Sequence, residues 1–185
     1  MAGCAHCGPV DENTESDGSI VVGLAGNPNT GKSSIFNHLT GARQHVGNWP
    51  GKTVAKAHGS LTHDGHELQL VDLPGTYSLN AASPEETITR DFLVNERPDV
   101  VIVVADASNL ERNLYLVVQV LEIGLPSVVA LNMTDVADSR GLDISVATLS
   151  ERLGVPVVPT VARRGTGLAE LQHEVLVVAT ARSRS

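Results

Sequence analysis

The chain has 185 residues, 42% of them apolar, and a formal charge of −8 from 13 Lys and Arg against 21 Asp and Glu. That length fits one domain with a buried core, and the acidic balance excludes a broad nucleic-acid-binding face, because neutralising many phosphates takes clustered cations. The longest apolar runs, such as VVIVVADA over 100–107, fall well short of the roughly 18 to 20 residues that span a bilayer, and no secretion-type leader opens the chain. A cytoplasmic location with both cysteines reduced is therefore expected.

Residues 1–18, MAGCAHCGPVDENTESDG, are polar and acidic with almost nothing to bury, and read as a mobile tail. The domain proper is placed at 19–180, with a disordered end at 181–185. Strands are expected near Ile20 to Ala25, Thr53 to His58, Glu67 to Asp72, Val100 to Ala105, Ser127 to Leu131 and Val155 to Pro159. Helical patterns fall between them, starting with Lys32 to Thr40. The Asp64-Gly65 pair predicts a hairpin, so one edge strand runs antiparallel. Ser83, Pro84 and Glu86 form an N-cap, a first-turn proline and a capping-box acid, opening a helix that ends near Glu96 before Pro98. Leu110, Leu114, Val117 and Leu121 recur at helical spacing up to Gly124. This alternation predicts an α/β fold, a mostly parallel six-stranded sheet with helices on both faces.

Four stretches carry chemistry. GNPNTGKSS (Gly26, Asn27, Pro28, Asn29, Thr30, Gly31, Lys32, Ser33, Ser34) joins the first strand to the first helix. Unpaired N–H groups at a helix N-terminus, with glycines that let the main chain come close, make an anion site. There Lys32 would neutralise β and γ phosphates and Ser33 would ligate Mg²⁺. HVGNWPGKTV (45–54) holds Gly51, Lys52 and Thr53 in a glycine-rich, mobile loop whose Thr53 could close on Mg²⁺ and the γ-phosphate; Trp49 could instead simply anchor that loop. LVDLPGTYSL (70–79) places Asp72 where it would hold a metal-bound water, followed by Leu73, Pro74 and Gly75, whose N–H would sense a γ-phosphate. Thr76 stands where Ras-like enzymes carry the water-orienting glutamine.

In ALNMTD (130–135), Asn132 and Asp135 have the spacing of a guanine-reading motif past the carboxyl end of a strand. The Asp135 carboxylate would accept two hydrogen bonds from guanine, whereas adenine offers no such pair. Met133 replaces the usual lysine and could pack on the purine without a cationic head, which predicts weaker binding and faster exchange.

Together these motifs, with SPEE at 83–86 and the intervening segment 106–135, closely resemble the GTPase domain of FeoB, the prokaryotic ferrous-iron transporter, over about 19–178. The resemblance implies a P-loop NTPase fold of the small-GTPase (TRAFAC) type that binds GTP and GDP with Mg²⁺ and hydrolyses GTP slowly. It implies a regulatory switch for Fe(II) uptake, at the cytoplasmic face of the inner membrane in the full-length protein. It further implies that a Ser-Ala pair contacts guanine; here the pair is Val161 and Ala162, and the valine could alter GDP release. Met133 is normal in that family. Asn29 matches the asparagine that holds K⁺ in such proteins, with carbonyls matching Gly47 and Trp49, and this K⁺ would supply charge that no nearby arginine provides. Members continue into a helical spacer and a membrane permease region, the expected partner, and the full-length transporter could be a homo-oligomer. The chain is therefore expected to be an excised domain.

Weaker features remain. Cys4, His6 and Cys7 lack a second ligand pair for a closed metal site, and His58, His63 and His66 read as solvated structural histidines near the hairpin. Alternative readings are a stand-alone or ribosome-associated GTPase, which would expect a basic appended domain, and a nucleotide-binding interaction module with negligible turnover.

Overall fold

The structure is a computed structural model that describes residues 19–41 and 43–182. The tail, with Cys4, His6 and Cys7, and residues 183–185 lie outside the described residues. Seven strands form one sheet: β1 (Ile20–Gly26), β2 (Gln44–Asn48), β3 (Ala55–His63), β4 (His66–Asp72), β5 (Val100–Asp106), β6 (Ser127–Asn132) and β7 (Val157–Pro159), in the order β2-β3-β4-β1-β5-β6-β7. The pairs β4-β1, β1-β5, β5-β6 and β6-β7 are parallel. β5 and β6 are apolar almost without interruption and buried along their length, as strands covered on both faces must be.

The strand count is seven rather than the expected six. The segment read as a mobile loop supplies β2, which pairs antiparallel with β3 from Gln44 opposite Gly59 to Asn48 opposite Ala55. Alternation is not visible in QHVGN, whose residues are exposed or half-buried; the strand exists because β3 offers it a free edge. β3 is also longer than expected, reaching His63 at a two-residue turn in which Asp64 (φ 46°) and Gly65 (φ 79°) are both left-handed. Both central residues of a type I′ hairpin turn require that conformation.

Helices α1 (Lys32–Thr40) and α6 (Leu168–Arg182) cover one face of the sheet, where Ile35, Phe36, Leu39, Leu171 and Val175 pack on Val22, Leu24, Leu68, Leu70 and Ile102. α6 thus extends two residues into the segment expected as disordered. The other face is covered by α2 (Pro84–Asp91), α3 (Leu110–Glu122), α4 (Thr134–Ser139) and α5 (Val146–Leu153), with Ile88, Leu116, Val117, Val120 and Ala137 in the core. The Ser83 hydroxyl caps α2 by accepting from the Glu86 N–H at 3.1 Å. The helix passes into a π-helical turn over Phe92–Glu96 that stops at left-handed Arg97, before Pro98. No helix among the described residues is long and apolar enough to cross a membrane.

Candidate functional site

Every segment expected to carry chemistry except the 45–54 loop converges at the carboxyl ends of β1, β4 and β6. The phosphate-type loop leaves β1 at Gly26 and enters α1 at Lys32 through left-handed Asn29 (φ 65°) and Gly31 (φ 86°). Gly31 is required by space as well as by conformation. A Cβ there would lie 2.2 Å from the Asn132 Nδ2, a clash no rotamer relieves because that amide is itself fixed.

Asn132 is 2% exposed and ties the loop to the segment expected to read a base. Its Nδ2 donates to the Thr30 carbonyl at 2.8 Å, and its Oδ1 accepts from the Ala162 N–H at 2.9 Å and the Thr160 hydroxyl at 3.2 Å. The Thr30 hydroxyl closes the loop by donating to the Asn27 carbonyl at 2.9 Å. Both polar atoms of the buried Asn27 side chain lack a protein partner.

A cleft of about 510 Å³ is lined by Asn27, Pro28, Asn29, Gly31, Lys32, Ser33, Ser34, Gly75 and Met133. The Lys32 ammonium, in that lining, donates to the Asp72 carboxylate. Burial pushes the Asp72 carboxyl up and the adjacent Lys32 charge draws it back down. Leu73 is fully buried and its N–H is bonded to the Leu24 carbonyl, so this residue positions the segment without facing the cleft. Thr76 is also buried, its N–H bonded to the Gly26 carbonyl at 3.2 Å and its hydroxyl donating to the Ser78 carbonyl at 2.7 Å. It therefore holds a turn and offers no side chain to a water in the cleft.

Asp135 stands at the start of α4 with its carboxylate near two exposed guanidiniums, Arg164 at 3.6 Å and Arg163 at 3.7 Å. Met133, at left-handed φ 62°, lines the cleft between Asp135 and the loop. The N–H groups expected to meet a base at 161 and 162 are both engaged internally, Val161 with the Thr166 carbonyl at 3.1 Å and Ala162 with Asn132. Val161 is buried.

The residues of the 45–54 loop expected to close on the ions stand apart from the cleft. Gly47 is paired with Lys56 across β2 and β3, and Gly51, Lys52 and Thr53 are exposed in a turn and bend. The Trp49 carbonyl accepts from the Lys52 N–H at 2.9 Å, while its indole is buried, edge-on to Phe92 at 5.8 Å and beneath the Lys56 ammonium at 4.5 Å. The side chain of Trp49 anchors the loop.

Sequence reasoning missed Arg112. A second cavity of about 180 Å³ behind the loop is lined by Asn29, Tyr77, Asp106, Arg112 and Asn113 among others, and the Arg112 guanidinium lies 4.3 Å from the Tyr77 ring centre. Asn29 thus borders both cavities. The signal was unreadable in sequence because Arg112 is distant from the loop in the chain and reaches it only when α3 packs beside β1.

The family model described as "Ferrous iron transport protein B" matches residues 20–175. The chain is 50% identical over 157 residues to the Fe(2+) transporter FeoB of Shigella flexneri and 51% identical to that of Salmonella typhimurium, covering 83% of this chain in each case. It spans about a fifth of the length of those relatives, 20%. Among solved structures, the G domain of T. maritima FeoB is 44% identical with a TM-score of 0.82, over 87% of this chain and 99% of that one. An S. thermophilus NFeoB mutant bound to GDP is 47% identical with a TM-score of 0.80, over 84% of this chain and 61% of that one. The P-loop GTPase fold expected from the motifs is therefore the fold found, and the chain belongs to the ferrous iron transport protein B family, in the part that corresponds to its G domain.

Proposed function

We propose that this domain binds GDP and GTP with Mg²⁺, hydrolyses GTP slowly with stimulation by K⁺, and acts as a cytoplasmic regulatory switch for Fe(II) uptake by the membrane permease region of a full-length protein. The observation that supports the reading is the Asn132 amide, which joins the 26–34 loop to the segment bearing Asp135, as one scaffold would need in order to hold both ends of a guanine nucleotide. A relative about as similar was solved with GDP bound.

The residues present fit the ions this reading requires. Lys32 and Ser33 line the cleft, Lys32 pairs with Asp72, and the Asn27 side chain in the same lining is buried with polar atoms that have no partner. Ser33 and Thr53 would hold Mg²⁺, Asp72 through a water, once the 45–54 loop has moved inward. Asn29 would hold K⁺, with the carbonyls of Gly47 and Trp49 completing its shell after the same movement. Bound cations offset the negative charge on the phosphoryl oxygens, the role an arginine finger plays elsewhere for a factor of about 10³ to 10⁵. Lys32 turns from Asp72 to the β and γ oxygens, and the Gly75 N–H marks the presence of the γ-phosphate. Asp135 leaves its arginines to accept from the base, and Met133 packs on the ring.

The test is GTP turnover in KCl against NaCl for the parent and for Asn29→Ala. Faster turnover in KCl that Asn29→Ala abolishes is expected, and equal rates in both salts for the parent remove the K⁺ role. A second reading, a nucleotide-binding interaction module with negligible turnover, is favoured by the buried hydroxyl of Thr76, which leaves no water-orienting side chain. Measurable hydrolysis separates the two.

A further inference from the structure

At the far end of the sheet from the nucleotide cleft, the hairpin tip and α6 bring three metal-type ligands together. One ligand atom from each of His63, Asp64 and His173 lies within 4.8 Å of the other two. The pairing follows from the fold. His63 ends β3 two residues after Leu61, and Leu61 faces Leu68 across the hairpin in the core shared with α1 and α6. Alternation along the strand puts His63 on that same face, and the left-handed turn brings Asp64 back beside it, with the His63 Nε2 3.7 Å from the Asp64 carboxylate. His173 arrives independently, from the exposed flank of a helix whose Leu171 and Val175 are buried.

A second observation singles out this cluster. The His63 Nε2 is shut off from solvent and has no hydrogen-bond partner, which leaves a buried nitrogen lone pair or N–H unsatisfied at a cost that native folds usually avoid. A cation at the centre of the three ligands satisfies it.

We propose that His63, Asp64 and His173 form a site for a divalent first-row transition-metal ion that ties the β3–β4 hairpin to α6. Two imidazoles and one carboxylate form the donor set that suits such ions, whereas Mg²⁺ and Ca²⁺ prefer oxygen alone. Bonds of about 2.0 to 2.1 Å place tetrahedral ligands about 3.3 Å apart. The cluster therefore has to draw in by up to about 1.5 Å, a movement within reach of side-chain rotation at the exposed Asp64 and His173. His66, the cross-strand partner of His63, lies on the same face as a further donor. The site is separate from the nucleotide cleft and does not depend on the transport reading.

The experiment titrates Co²⁺ into the full chain carrying Cys4→Ser, His6→Ala and Cys7→Ser, which silences the donors of the tail, and follows ligand-field absorption, with Zn²⁺ competition and thermal melting as second readouts. The parent of this series is expected to bind one ion per chain, with a Tm that rises on adding Zn²⁺. His173→Ala should lower Co²⁺ affinity at least about ten-fold and abolish the rise in Tm. Asp64→Asn should also lower affinity, and it preserves the hairpin because asparagine tolerates the left-handed turn. No binding by the parent of the series, or equal affinity in the parent and both variants, overturns the proposal. So does a loss confined to His45→Ala, which would assign the ion to the stacked His45–His58 pair.

Discussion

Replacing Asn132 by alanine tests whether the phosphate loop is held from the base-reading segment. The substitution leaves three groups without their partner: the Thr30 carbonyl, the Ala162 N–H and the Thr160 hydroxyl, in a place where Asn132 is 2% exposed. Each buried hydrogen bond contributes about 1 kcal/mol net, and a stranded buried group costs somewhat more, so the three together predict a loss of about 3 to 4 kcal/mol. Against a typical stability of about 5 to 15 kcal/mol this is a large fraction. For a chain of this length it corresponds to a fall in Tm of roughly 10 °C. Urea denaturation with and without GDP is the assay. Asn132→Asp still accepts from Ala162 and Thr160 but sets a buried carboxylate oxygen against the Thr30 carbonyl, where the amide had donated at 2.8 Å, so at neutral pH it should weaken GDP binding and cost at least as much stability as the alanine variant. A loss under 1 kcal/mol for Asn132→Ala, with GDP affinity unchanged, would refute the reasoning.

Three further outcomes are expected. Met133→Lys should tighten GDP binding in an equilibrium titration, since it adds a cation beside the base position without altering the left-handed backbone; unchanged affinity rejects the role assigned to the thioether. Arg163→Ala with Arg164→Ala should change GDP affinity by no more than about three-fold, because both guanidiniums are largely exposed and exposed ion pairs contribute little; a ten-fold loss would mean that they touch the nucleotide. Glu86→Gln should destabilise the domain at neutral pH and be harmless in acid. The Glu86 carboxylate accepts from the Ser78 hydroxyl at 2.8 Å and the Ala82 N–H at 2.9 Å, and these bonds hold its pKa below the ordinary glutamate value. A depressed carboxyl contributes stability above its unfolded pKa and loses it as pH falls through the folded one, so melting curves of parent and variant should converge in that acid window.

The sheet and the phosphate loop were legible because their signals are local. An apolar strand, a glycine-bearing turn and a helix start specify one another within about twenty residues, and the hairpin at Asp64-Gly65 needs only two. What was not legible depends on contacts across the chain. β2 has no alternation of its own and exists as the partner of β3. The internal bonds of Val161 and Ala162 require Thr166 and Asn132 to be placed first. Trp49 presented two readings, ion shell or anchor, and the burial of its indole against Phe92 selects the anchor for the side chain while its carbonyl remains tied to Lys52.

Arg112 matters most to the proposed mechanism, because the case for K⁺ drew on the lack of an arginine in the 26–34 and 45–54 loops. The fold brings one to the back of that loop, where it shares a cavity with Asn29. Its position is nevertheless poor for a finger. The guanidinium stacks on Tyr77, and the cavity it lines lies behind the loop rather than in the cleft that holds Lys32 and Ser33. Only Asn29 and its neighbours Asn27 and Pro28 reach both spaces. The guanidinium is therefore not placed to add charge to the front cleft, where Lys32 supplies one, and in the proposed reading a cation on Asn29 would supply the second. The consequence is measurable: Arg112→Ala should retain the ratio of turnover in KCl to that in NaCl, whereas Asn29→Ala should bring it to one. If Arg112→Ala removes the turnover and the salt preference remains in Asn29→Ala, the charge comes from α3 and the K⁺ assignment fails.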